Sequence, residues 1–399
     1  MQPIPLISFS GLFGVAAVAF LVPLLLGLVP RVRVPAVVFE IILGIIIGPS
    51  VLGWVRVDVP IAVLSMLGLA FLLFLAGLEI EVERLQGAAL RLASMGLVLS
   101  FGLALAAGYL AFAFGLVKAP LFLSIVLLTT SLGLLVPVLK DAGQTQTDFG
   151  QFVIASASMA DFASVLLLSL FFSRESGSPG VKLALLVGFV LCVLLIAAAI
   201  ARAERFAWVS DALLRLQDTT AQIRVRGAMF LLIGLVALAA HFGVELLLAA
   251  FIAGAVLTLV DRDAMTHPHF RTKLEAIGFG FLIPIFFVTS GVQFDLHALL
   301  ATPTGLLKVP IFLLAMLVVR GIPAVLYTPR LGPRLSAVAG ILQATSLPFI
   351  VAGTQIGLAL GVIQSATAAA FVMAGLISVL VFPTIGLTML RESTSRAQE

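Results

Sequence analysis

Charge is scarce in this chain: of 399 residues, 23 are Lys or Arg and 19 are Asp or Glu, 11% together. Soluble domains carry about 25% charged residues, so this composition cannot cover a water-exposed surface and leaves the bilayer as solvent. Cysteine is nearly absent. The single thiol, Cys192, sits in an apolar run, which excludes an intramolecular disulfide and makes a small core residue its simplest reading. Histidine is equally sparse. His241, His267, His269 and His297 lack metal-ligand spacing, so no zinc site is expected. There is also no basic domain: Lys and Arg fall singly or in pairs in short loops, and nucleic acid is not an expected partner. Gly278-Phe279-Gly280 lacks the third glycine and the preceding strand of a dinucleotide fingerprint. With no nucleophile beside a base, no metal cluster and no phosphate loop, neither an enzyme nor a cofactor is expected.

What the chain has in excess is hydrophobic residues, 61% of the total, arranged in long runs. The run from Leu6 to Val29 has no charge before it and no clear cleavage site, so it reads as a spanning helix and not as a signal peptide. Breaks at charge, Pro or Gly predict thirteen helices near 6–29, 34–54, 60–79, 88–113, 119–139, 148–172, 181–203, 222–240, 243–260, 274–292, 305–327, 335–358 and 364–390. An outside N-terminus puts 17 Lys/Arg in cytoplasmic loops and in the tail. The other side then holds five, Arg56, Lys118, Arg174, Lys182 and Lys308, while Arg320 lies within a span. That asymmetry predicts a cytoplasmic C-terminus and an odd number of helices.

Irregular backbone is tolerated at membrane depth only where it lines a protein cavity, so breaks in spans point at function. The fifth span contains Thr129-Thr130-Ser131-Leu132-Gly133 and the twelfth Gln343-Ala344-Thr345-Ser346-Leu347-Pro348. The two segments also echo one another, Thr130-Ser131-Leu132 against Thr345-Ser346-Leu347, 215 positions apart. A second echo, Phe74 to Glu81 against Val288 to Asp295, has an offset of 214. Spans seven apart run in opposite senses, which predicts an inverted-topology repeat with two broken helices meeting near the midplane.

Asp161 lies thirteen residues from both Asp148 and Arg174, roughly 20 Å from either along a helix. An unpaired charge there costs at least about 2.5–3.5 kcal/mol, so the carboxylate must be paired, hydrated or protonated, and it becomes a candidate for exchanging a proton with a bound cation. Arg320, deep in the eleventh span, is either a fixed positive charge beside Asp161 or a side chain that snorkels to the interface. Glu40 and Glu245 read as membrane-embedded acids, each lining a water-filled approach or pairing with a neighbour. Ser156 and Ser158 either supply ligand oxygens or allow close helix contact. The candidate ion and proton ligands are Asp161, Thr130, Ser131, Ser158 and Ser346, with Asp161 carrying the metal ion. An oxygen-only set of this kind suits hard cations.

Phe39-Glu40-Ile41-Ile42-Leu43-Gly44-Ile45-Ile46-Ile47-Gly48-Pro49-Ser50-Val51-Leu52-Gly53 resembles the second-helix signature of the monovalent cation:proton antiporter-2 family, which includes Kef-type potassium/proton and related sodium/proton antiporters. Leu73 to Glu79, Ala249 to Gly254 and Pro284 to Val288 extend the likeness in family order. The resemblance implies an all-α polytopic fold of thirteen helices, usually a homodimer, in a bacterial inner membrane. It implies scaffold helices over about 6–79 and 222–292, an ion-carrying core over about 88–172 and 305–390, and a linker helix over about 181–203. It further implies elevator-type exchange of Na⁺ or K⁺ for H⁺, with Asp161 as the ion- and proton-binding aspartate and Arg320 as the family's basic residue. Two positions depart from the pattern. Ala160 stands where Asp, Asn or Gln is common, and Leu347 where the second crossing often carries an acid. No Kef-type cytoplasmic nucleotide-binding domain is expected after the last helix, so such gating would need a separate regulatory subunit. The alternatives are a non-transporting sensor of the same fold and a sodium-coupled symporter of an organic anion.

Overall fold

The computed structural model describes residues 9–28, 35–79, 87–172, 179–203, 206–260 and 269–396, and among these every regular element is helical. They are α1 (Ser10–Leu28), α2 (Ala36–Ile47), α3 (Val59–Leu78), α4 (Gly87–Ala113), α5 (Pro120–Leu128), α6 (Leu132–Asp141), α7 (Asp148–Phe172) and α8 (Pro179–Ala203). There follow α9 (Ala207–Leu216), α10 (Ile223–His241), α11 (Leu246–Val260), α12 (Phe270–Val292) with a π turn at Gly278–Leu282, and α13 (Leu296–Leu300). The last are α14 (Pro303–Gly321), α15 (Thr328–Gln343), α16 (Pro348–Ala359) and α17 (Ser365–Arg396). Nine described helices are long and apolar enough to cross a membrane, and four shorter apolar ones join them, in agreement with the thirteen expected spans. Large apolar side chains such as Phe13, Phe20, Trp54 and Phe230 face outward, as they must where the solvent is hydrocarbon. The chain is an integral membrane protein.

The chain divides into two compact units. The first comprises Met1–Leu28, Glu40–Ile80 and Leu168–Val292. Its helices approach through glycine. A Cβ on Gly77 of α3 would strike the Phe251 carbonyl of α11, and one on Gly254 of α11 would strike the Phe74 carbonyl of α3. Gly44 of α2 meets the Val288 carbonyl of α12 in the same way. In lipid there is no hydrophobic drive between helices, so close backbone packing of small residues supplies the attraction. The glycines of the family-like signatures in this unit are therefore packing seams.

The second unit comprises Val29–Phe39, Glu81–Leu167 and Gln293–Glu399. Its core gathers Leu135, Phe149, Phe152, Tyr327, Val338 and Leu342. Tyr327 stacks on Phe152 with ring centroids 5.3 Å apart. Pro303 opens α14 with Thr302 as its N-cap, the hydroxyl accepting from the Gly305 N–H. Pro323 stands at the start of the 3-10 turn Ile322–Tyr327 that follows α14. Gly332, at φ 76°, makes the turn from this segment into the rest of α15, between the expected spans that end near 327 and begin near 335.

Two breaks separate half-helices, α5 from α6 at residues 129–131 and α15 from α16 at residues 344–347. A hydroxyl side chain competes with helical hydrogen bonding at the first break: Thr129 Oγ1 donates to the Val126 carbonyl, and Thr129 itself is extended at φ −66°, ψ 150°. At the second break Pro348 takes the first-turn position of α16, which disfavours helical geometry in Leu347 before it.

Candidate functional site

The two breaks cross one another inside the second unit. Ser131 N–H donates to the Thr345 carbonyl at 3.0 Å, and Thr130 Oγ1 donates to the Gln343 carbonyl at 3.0 Å. The hydroxyls of Thr129 and Ser346 pair at 2.9 Å. The crossing therefore brings together two half-helix amino ends, of α6 and α16, and two carboxyl ends, of α5 and α15. Each amino end carries partial positive charge and each carboxyl end partial negative charge.

Asp161, on α7, is 2% exposed. Its carboxylate lies on the amino end of α6, where Thr130 N–H donates to Oδ1 at 2.9 Å and Leu132 N–H donates to Oδ2 at 3.4 Å. Ser131, the N-cap residue of α6, makes no side-chain capping hydrogen bond, so the acid from α7 takes that role. Arg320 ends α14 and is 1% exposed. Its Nε donates to Thr130 Oγ1 at 2.7 Å and its Nη1 to Ser100 Oγ at 3.2 Å, while Nη2 reaches Ser156 O and Oγ, both at 3.4 Å. The side chain turns inward, and Thr130 links guanidinium to carboxylate: its hydroxyl accepts from Arg320 while its N–H donates to Asp161. Gln343 ties the same groups from α15, with Oε1 accepting from Ser156 Oγ at 3.2 Å and Nε2 donating to Tyr327 Oη at 3.4 Å.

The other candidates fall as follows. Thr130, Ser131 and Ser346 lie in the crossing, Ser131 through its backbone and Ser346 through its hydroxyl. Ser158 is buried without a hydrogen bond of its own among the described residues, and Ser156, two positions earlier, is the serine that enters the network. Glu40 is 5% exposed on α2 in the first unit. Glu245 lies just before a helix and not within one. The turn closed by Gly243 at φ 63° ends α10, α11 begins at Leu246, and Glu245 precedes it with its N–H on Ser169 Oγ at 3.3 Å. An acid at a helix amino end suits the dipole, which accounts for its position outside the helix. Sequence reasoning missed Ser100, Tyr327 and Ser378 and gave Gln343 no role, because uncharged polar side chains in apolar runs do not stand out as charges do. Thr345 Oγ1, at the crossing and fully buried, has no hydrogen-bond partner among the described residues.

Among known proteins the chain resembles, YjbQ of Bacillus subtilis is 32% identical over 399 aligned positions, covering 94% of this chain and 62% of YjbQ. The chain thus spans less than two thirds of that relative. The Na⁺/H⁺-K⁺ antiporter GerN of Bacillus cereus is 30% identical, with 72% of each chain covered. Among solved structures, the sodium proton antiporter MjNhaP1 of Methanocaldococcus jannaschii superposes with a TM-score of 0.64 at 16% identity, covering 95% of this chain and 98% of that one. This likeness shows a shared fold. The family model "Sodium/hydrogen exchanger, transmembrane" matches residues 16–392. With its broken helices crossing beside a buried aspartate and a match over nearly its whole length, this chain belongs to the sodium/hydrogen exchanger family.

Proposed function

We propose that this chain is a secondary antiporter that exchanges a monovalent cation, Na⁺ or K⁺, for H⁺, with both ions competing for Asp161. The observation that carries this reading is the buried Asp161 carboxylate held on the Thr130 and Leu132 N–H groups at the crossing. A carboxylate so held keeps lone pairs for a cation or a proton. Hydroxyl and carbonyl oxygens of Thr129, Thr130, Thr345 and Ser346 belong to the same crossing, a donor class that suits hard cations. Arg320 balances the acid's charge when no cation is bound. The name of GerN carries both Na⁺ and K⁺, which supports keeping both as substrates.

Protonation at the acidic face releases the cation, and deprotonation at the other face binds one. In this proposal the second unit carries the ion elevator-fashion, with helices over about 88–172 and 305–390 as the moving core. Helices over about 6–79 and 222–292 serve as scaffold of a homodimer, and the helix over about 181–203 serves as linker. Glu40 is proposed as a pathway acid, and Glu245 as an acid at its mouth. The membrane is proposed to be a bacterial inner membrane with the N-terminus outside. One observation favours a second reading, a sensor without transport: Ala160 and Leu347 are fully buried apolar residues at positions where polar groups were expected.

The test is proton movement in proteoliposomes, followed with a pH-sensitive dye after separate additions of Na⁺, K⁺ and Li⁺. The expected result is a response to Na⁺, K⁺ or both that Asp161→Asn abolishes while leaving a folded protein. Silence of the wild-type protein with all three cations would favour the sensor.

A further inference from the structure

The second half-helix amino end has its own cap, and it is not an acid. Leu347, the N-cap residue of α16, makes no side-chain capping hydrogen bond. Ser378, on α17, reaches in instead: its Oγ accepts from the Ser346 N–H at 3.2 Å and lies within donating distance of Gly375 O at 2.7 Å and Ser346 O at 3.0 Å. Ser378 is fully buried. Asp161 stands in the same relation to the first half-helix. It follows the N–H it accepts from by 31 residues, Ser378 follows its own by 32, and each lies on the long helix after its break. The first break is thus met by a carboxylate, and the second, one residue out of register with the 215-position echo, by a hydroxyl.

We propose that Ser378 is a positioning residue of the exchange site, the uncharged counterpart of Asp161, and that it acts on Asp161 through the crossing strands. The path is continuous. Ser378 holds Ser346, whose hydroxyl pairs with Thr129 at 2.9 Å. The adjoining Thr345 carbonyl holds the Ser131 N–H at 3.0 Å. Residues 129–131, so held, present the Thr130 and Leu132 N–H groups to Asp161. Loosening the second strand loosens those donors and with them the placing of the carboxylate. Arg320 and Tyr327 are the charged and titratable groups that face this network from α14 and the turn after it. Both are left intact by changes at residue 378.

This inference rests on the reading of Asp161 as the exchange carboxylate, so Asp161→Asn is measured in parallel. In proteoliposomes, Ser378→Ala is expected to lower the maximal exchange rate roughly tenfold, the scale of a misplaced site group, and to raise the apparent KM for the driving cation. Ser378→Thr keeps the hydroxyl and is expected to recover most of the rate and the original KM. Ser378→Cys keeps the volume with a poor hydrogen-bonding group, should behave as Ala does, and serves if the Ala protein does not fold. A wild-type rate and KM in folded Ala and Cys proteins, or equal impairment of Thr and Ala, overturns the inference. Persistent exchange in Asp161→Asn overturns the reading beneath it, while silence there with normal Ser378→Ala overturns only the role of Ser378.

Discussion

Asp161 and Arg320 are each nearly free of solvent contact, yet neither is stranded. The acid rests on backbone N–H groups, and the guanidinium bonds Thr130, Ser100 and Ser156. A buried charge survives only when its donors or acceptors are supplied in this way. Removing the cation while leaving the acid disfavours the charged form of Asp161. Arg320→Ala is therefore expected to shift the activity optimum to higher pH, since deprotonation must then be driven by a lower proton concentration. An unchanged profile from folded protein would mean that Arg320 does not support the carboxylate. Both charged residues were legible in the sequence because an ion in the middle of an apolar run has no inexpensive explanation. Ser158 and Ser156 were not distinguishable there. Which of two serines on one helix meets Gln343 depends on where α15 lies, and α15 is 187 residues away from Ser156 at that contact.

The broken helices were readable as elements because their sequences contain the physical causes of the break. Clustered hydroxyls and Pro348 cannot continue a helical ladder unaided, and lipid offers no water to repair it. The limits of each half were not readable, nor was the place of Glu245 in the turn before α11, which begins at Leu246. Elsewhere the glycines carry the packing. The approach of α3 and α11 at Gly77 and Gly254 leaves no room for a side chain, because the opposing atoms are backbone carbonyls that cannot rotate away. Gly254→Val is expected to destabilise the first unit by about 1–3 kcal/mol, the range for overpacking a close-packed site. A lowered unfolding temperature in detergent is the readout, and an unchanged one would mean that the two helices can separate without loss.

For the molecule as a whole, two units are each built from segments distant in sequence, and the ionisable pair Asp161 and Arg320 lies in the second. The loop asymmetry of Lys and Arg predicts a cytoplasmic C-terminus. A green fluorescent protein fused after the last helix is expected to fluoresce in cells, and an alkaline phosphatase fused there to stay inactive. The reverse pair of results would invert the assigned orientation and the sidedness of proton release with it. Composition alone determined that this protein lives in a bilayer, and the repeat, the breaks and the mid-membrane acid were written in local chemistry: hydropathy, helix-breaking residues and the cost of a buried charge. Tertiary structure decided what those parts do to one another. Gln343, Ser100 and Ser378 gain meaning only when helices far apart in the chain are brought within hydrogen-bonding distance, because an uncharged polar side chain acquires its role from the partner it meets.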